Sequence, residues 1–96
     1  MSLASVIQVY PTADYQVYIY FADGSVRKYD AAPLIEQGVF AVLKNPEVFR
    51  KTCTVLNGTL AWDLSGHRDP YDCLDLDAEN LFNTCPKVKD PLEPAA

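Results

Sequence analysis

The sequence predicts a two-layer α+β domain: an antiparallel sheet of four or five strands built from hairpins, with short helices packed on one face. Three observations carry that expectation. Asp23-Gly24 and Asn57-Gly58 each lie between runs of alternating apolar residues, the pattern of a tight β-hairpin. Between the two hairpins, Pro33 and Pro46 open short stretches in which helix-forming residues replace the alternation. At 96 residues, the chain is long enough for one modest core and too short for two.

Taken in order, Val6 to Tyr10 is a β-prone run ended by Pro11, and Thr12-Ala13-Asp14 is a turn. Tyr15 to Phe21, rich in Tyr, Val and Ile, reads as a second strand. With Asp23-Gly24 as the turn, Val26 to Asp30 returns with Phe21 opposite Val26 and Ile19 opposite Lys28. That register puts Val17, Ile19, Phe21 and Val26 on one face and Tyr18, Tyr20 and Tyr29 on the other. Lys28 then falls on the apolar face, where only its stem fits.

After Asp30 the texture changes. Residues 33–37 read as a helix of one or two turns stopped at Gly38, and Val39 to Leu43 as a buried apolar connector. Asn45 N-caps a second short helix over 46–51, with Pro46 at its first position and Glu47 beside the positive end of its dipole. The strongest turn signal follows. An Asn-Gly pair suits a type I′ turn, so Leu56 faces Thr59, Val55 faces Leu60, Thr54 faces Ala61 and Cys53 faces Trp62. Cys73 to Leu76 reads as a last brief strand and Asp77 as the N-cap of a helix running to about Thr84. The expected core comprises Val17, Ile19, Phe21, Val26, Leu34, Phe40, Leu43, Phe49, Val55, Leu60, Trp62, Leu76, Leu81 and Phe82. One domain is therefore expected over 1–85, with a proline-rich disordered tail over 86–96.

Composition narrows function mainly by exclusion. A net charge of −5 is a poor basis for nonspecific nucleic-acid binding, which works by neutralising phosphate, and it suits a basic protein partner better. No run approaches the ~20 apolar residues of a membrane span. Residues 1–5 carry neither a basic segment nor an apolar core of a secretory signal, so a cytoplasmic location is expected. Cys53, Cys73 and Cys85 form no C-x-x-C spacing and read as reduced thiols, with a Cys73–Cys85 bridge left open.

The stretch dense in reactive groups is Ser65-Gly66-His67-Arg68-Asp69-Pro70-Tyr71-Asp72. His67-Arg68-Asp69 spells the tripeptide of a kinase catalytic loop, but the chain lacks a glycine-rich phosphate loop and is far too short for a kinase. His67 with Asp69, Asp72, Asp75 and Asp77 offers metal-ligand chemistry at a spacing that matches no defined site. As the only histidine, His67 is also the sole imidazole base for a cysteine nucleophile, and Cys73 lies six positions on with nothing to bring the two together. No cofactor is expected. Candidate partner-binding residues are Tyr18, Tyr20 and Tyr29 on the first hairpin, and His67, Arg68, Asp69 and Tyr71 on the polar loop. A tyrosine face without an inner layer to cover it suits a homodimer or another protein partner.

Four segments in this order and spacing resemble the DUF2442 family of small bacterial proteins. They are Phe21-Ala22-Asp23-Gly24-Ser25, then Gly38-Val39-Phe40 with residues 43–49, then Gly58-Thr59-Leu60-Ala61-Trp62, then residues 75–82. The resemblance implies a compact α+β domain, found alone or joined to a helix-turn-helix domain. It also implies genes placed beside those of a DUF4160-type protein in toxin–antitoxin-like pairs, and it brings no catalytic residue. Two features depart from the family: a longer segment between Trp62 and Asp75, and Ala78 where the family has proline. The expectation is therefore a non-catalytic interaction module, antitoxin-like and paired with a small basic protein. The alternative is a small enzyme or metal-binding protein using the loop from His67 to Asp72.

Overall fold

The computed structural model describes residues 4–68 and 73–92. It is α+β, but the strands form two small sheets instead of one. β1 (Val6–Pro11), β2 (Gln16–Phe21) and β3 (Val26–Asp30) make the first, in the order β1-β2-β3. β4 (Cys53–Leu56), β5 (Thr59–Trp62) and β6 (Leu74–Asp75) make the second, in the order β4-β5-β6. All pairs are antiparallel. The sheets meet at Val6, whose N–H donates to the Gly58 carbonyl at 2.8 Å. A single sheet fails to form because β1 is irregular there. The register shifts between Val6 and Gln8, and such a bulge bends the strand and interrupts its ladder.

The second hairpin has the predicted register, Cys53↔Trp62 through Leu56↔Thr59. Asn57 and Gly58 take φ of 51° and 73°, as a type I′ turn requires. Trp62 is fully buried, and its indole N–H donates to the Phe49 carbonyl at 3.2 Å. That bond satisfies the one polar atom a buried tryptophan carries. Around it pack Phe21, Phe49, Ile19, Leu43, Leu60, Leu81 and Val17, so residues from both hairpins share one core. Of the expected core, Leu34, Phe40, Val55, Leu76 and Phe82 are half-buried against this cluster, and Val26 stands outside it.

The connection between the sheets is built from three short helical segments separated by the extended residues Gln37 and Asn45. A 3-10 turn (Leu34–Glu36) leads into a 3-10 helix (Gly38–Lys44) and then α1 (Pro46–Thr52). The second of these is the predicted buried connector, yet Val39 is 71% and Val42 46% exposed. Three residues per turn explains it: Phe40 and Leu43 share the inward stripe, and Val39 and Val42 share the next one out. In α1 the Asn45 side chain accepts from the Glu47 N–H at 3.0 Å, the predicted cap. Asp77 stands at the N-cap of α2 (Ala78–Thr84) without making a side-chain cap bond.

The first residues of the segment over 86–96 pair with β3. The Lys28 N–H donates to the Pro86 carbonyl at 3.1 Å and the Val88 N–H to the Val26 carbonyl at 2.8 Å, pairing Lys87 with Arg27. The outer edge of β3 thus carries a short added strand. Backbone pairing asks little of sequence, so three prolines in the segment did not prevent it. Residues 93–96 lie outside the described residues.

Candidate interaction surface

What β3 contributes to the surface is decided by the loop between β2 and β3. Asp23 and Gly24 are not the central pair of a two-residue turn; they belong to a three-residue loop over residues 22–24. The Phe21 N–H donates to the Ser25 carbonyl at 2.9 Å, and Gly24, at φ 89°, supplies the left-handed residue such a loop needs. Asp23 holds the loop by accepting from the Ser25 N–H at 2.9 Å and its hydroxyl at 2.6 Å. The observed register is Tyr20↔Val26, Ile19↔Arg27, Tyr18↔Lys28 and Val17↔Tyr29, one residue away from the predicted one. A one-residue slip moves every β3 side chain to the opposite face.

Tyr18 and Tyr20 stay on the outer face, but Tyr29 turns inward against the core, corrected from its predicted place beside them. Lys28 turns outward and sets its ammonium 5.3 Å from the Tyr18 ring centroid, which resolves the misfit of the predicted register. Arg27 turns inward in its place, 4.2 Å from the Phe82 ring centroid. Tyr10 was missed by sequence reasoning. It pairs with Tyr18 across β1 and β2, stacks on it at 6.1 Å and 26°, and is 42% exposed. The alternation of Val9 and Tyr10 within the first run would have placed it, had that run been paired with β2.

The outer face of the first sheet therefore presents Tyr10, Tyr18 and Tyr20 with Lys28. The Tyr20 hydroxyl donates to the Asp90 carboxylate at 2.6 Å. Desolvation, then the hydrogen bond to Asp90 and its charge, push the phenol up to about 12. It stays a protonated donor at any physiological pH.

The polar loop is built differently. Asp63 is buried, and its carboxylate accepts from the Ser65 hydroxyl at 2.9 Å and from the backbone N–H groups of Gly66 at 3.2 Å and Arg68 at 2.7 Å. Desolvation raises its pKa, but these bonds outweigh it and leave the carboxyl below its ordinary value. Arg68 is spent on structure: its guanidinium donates to the Thr54 hydroxyl at 3.3 Å and the Val55 carbonyl at 2.7 Å. His67 is exposed. Asp69 and Tyr71 lie outside the described residues. Among the described residues no group of three or more His, Cys, Asp or Glu is placed to hold a metal ion. Cys53 and Cys85 are free thiols, and burial alone pushes Cys53 up to about 12, far from a reactive thiolate.

The model of the family described as "Protein of unknown function (DUF2442)" matches residues 6–87, and the chain belongs to that family. No curated protein and no solved structure matches the chain significantly. Among the described residues no helix is long and apolar enough to cross a membrane.

Proposed function

We propose that this protein is a non-catalytic protein-interaction module, the antitoxin-like member of a pair whose other member is a small basic protein. The observation that carries the reading is the outer face of the first sheet, where Tyr10, Tyr18 and Tyr20 face away from the core. Tyrosine suits such a surface because its ring offers large contact area and its hydroxyl stays solvated when the partner is absent. The charge selects the partner. Net charge is −5, and Asp75, Asp77 and Glu79 are exposed and outside any ion pair among the described residues. Such a field speeds encounter with a basic protein and weakens as salt rises.

The test is titration calorimetry against the product of the adjacent gene. Wild-type protein should form a stoichiometric complex. Tyr10→Glu should weaken it by at least about tenfold while leaving the chain cooperatively folded, as loss of an exposed aromatic anchor does. A complex of unaltered affinity in that variant would contradict the reading. Sedimentation of the protein alone shows whether a second copy takes the same face.

A further inference from the structure

The edge of β3 holds a mismatch. Because Phe21 is hydrogen-bonded to Ser25, the backbone groups of Val26 and Lys28 point away from β2 and toward residues 86–88. In that pairing Arg27 stands directly opposite Lys87, and like charges directly opposed across strands are destabilising. Arg27 lies over the Phe82 ring, 4.2 Å from its centroid, but its polar pairing is incomplete. One guanidinium nitrogen donates to the Cys85 carbonyl at 3.0 Å, while its Nε–H is buried with no partner. No carboxylate is in ion-pair contact with it among the described residues. The added strand has little else to hold it. Only Val88 and Asp90 of residues 86–92 are half-buried, and among the described residues the Tyr20–Asp90 bond is its one side-chain hydrogen bond to the sheet.

We infer that the outer edge of β3 is a docking site for an extended strand of a partner protein that carries an acidic residue opposite Arg27 and a carboxylate within reach of the Tyr20 hydroxyl. The chain's own residues 86–90 occupy this site when the partner is absent. They show the backbone geometry the edge accepts, two ladder bonds around a close pair, which is strand addition to a free sheet edge. An Asp or Glu in place of Lys87 converts a repulsive pair into an attractive one and gives the orphaned Arg27 Nε–H an acceptor. The tether gives the resident segment a high effective concentration, so the partner must gain from this substitution to displace it. This goes beyond the tyrosine-face reading, because the site is an edge and its ligand is an acidic strand.

The experiment uses the full chain with Val88→Pro/Asp90→Ala, which removes the ladder donor and the Tyr20 anchor of the resident segment. The probes are two fluorescein-labelled peptides: Pro-Lys-Val-Lys-Asp-Pro-Leu, the sequence of residues 86–92, and the same peptide with Glu at its second position. Fluorescence anisotropy should show the Glu peptide binding the opened chain about tenfold tighter than the Lys peptide, and about tenfold tighter than it binds wild type. Adding Arg27→Gln to the opened chain should make the two peptides equal. Absence of binding at millimolar peptide, or equal binding of both peptides to the opened chain, would overturn the proposal. Lys87→Glu in the otherwise unaltered chain is a second test that leaves the ladder intact. Hydrogen exchange of the Val88 amide should slow severalfold, and unchanged exchange would count against the proposal. A wild-type dimer abolished by Val88→Pro would assign the edge to a second copy and overturn the partner assignment. All of these are read with no basic partner present, so they fail or succeed independently of the complex with the adjacent gene's product.

Discussion

The two hairpins carry nearly the same turn dipeptide and end in different registers. Asn57-Gly58 is the whole of a two-residue loop, and the strands on either side pair as their alternation demands. Asp23-Gly24 shares its loop with Ala22, and Gly24 alone takes the left-handed conformation. That extra residue reverses which face each β3 side chain joins. It sends Arg27 and Tyr29 into the core side and leaves Lys28 among the outer tyrosines. The apolar pattern therefore locates a hairpin reliably, whereas loop length decides what its returning strand presents. What β3 adds to the candidate surface, Lys28 in place of Tyr29, follows from that one residue.

The largest expected effect breaks the core both hairpins share. Trp62→Ala should cost roughly 3–5 kcal/mol in urea unfolding, from the cavity and from the unpaired Phe49 carbonyl. Next comes the pair that separates the two registers. Arg27→Ala should cost about 1–2 kcal/mol, through its packing on Phe82 and its bond to Cys85, and Lys28→Ala under about 0.5 kcal/mol. The reverse order in chemical unfolding would restore the two-residue turn at Asp23-Gly24. Alanine at either turn glycine should cost about 1 kcal/mol because both hold positive φ. Gly58→Ala should be worse by a few tenths. A Cβ there lies 3.3 Å from the Ser5 hydroxyl oxygen, which can rotate aside, whereas Gly24 faces open space.

The smallest effect is the pH dependence of the two aspartate-held loops. Asp23 is lowered from 3.8 chiefly by the Ser25 hydroxyl and then by the Ser25 N–H. Asp63 lies below 3.8 because the bonds from Ser65, Arg68 and Gly66 outweigh the raising effect of desolvation. A carboxyl depressed in the folded state adds stability that is fully present above its unfolded pKa, and that is lost as pH falls through its folded pKa. Unfolding midpoints should therefore be flat from neutrality to about pH 5 and decline below about pH 4. Asp23→Asn and Asp63→Asn should each flatten part of that decline.

Legibility in the sequence tracks how local the deciding interaction is. The β4–β5 register, the Asn45 cap and the burial of Trp62 rest on neighbours in the chain and could be read directly. The β2–β3 register could not be read from the dipeptide, although the sequence held a warning in Lys28, a charge assigned to an apolar face. Of the candidate surface, Tyr18 and Tyr20 were legible, Tyr29 was misplaced with its strand, and Tyr10 needed the β1–β2 pairing. Arg68 looked like part of a reactive loop because its true targets, Thr54 and Val55, lie on another strand. The pairing of residues 86–88 with β3 uses backbone groups alone, for which no side-chain pattern exists.

The most direct test is cross-strand nuclear Overhauser spectroscopy of the first hairpin. In an antiparallel ladder, facing residues of a non-hydrogen-bonded pair bring their α-protons close together. The observed register predicts strong Hα–Hα cross-peaks between Tyr18 and Lys28 and between Tyr20 and Val26. A cross-peak from Ile19 to Lys28 in their place would restore the two-residue turn. It would also return Tyr29 to the outer face in place of Lys28 and remove the structural basis of the Arg27 edge.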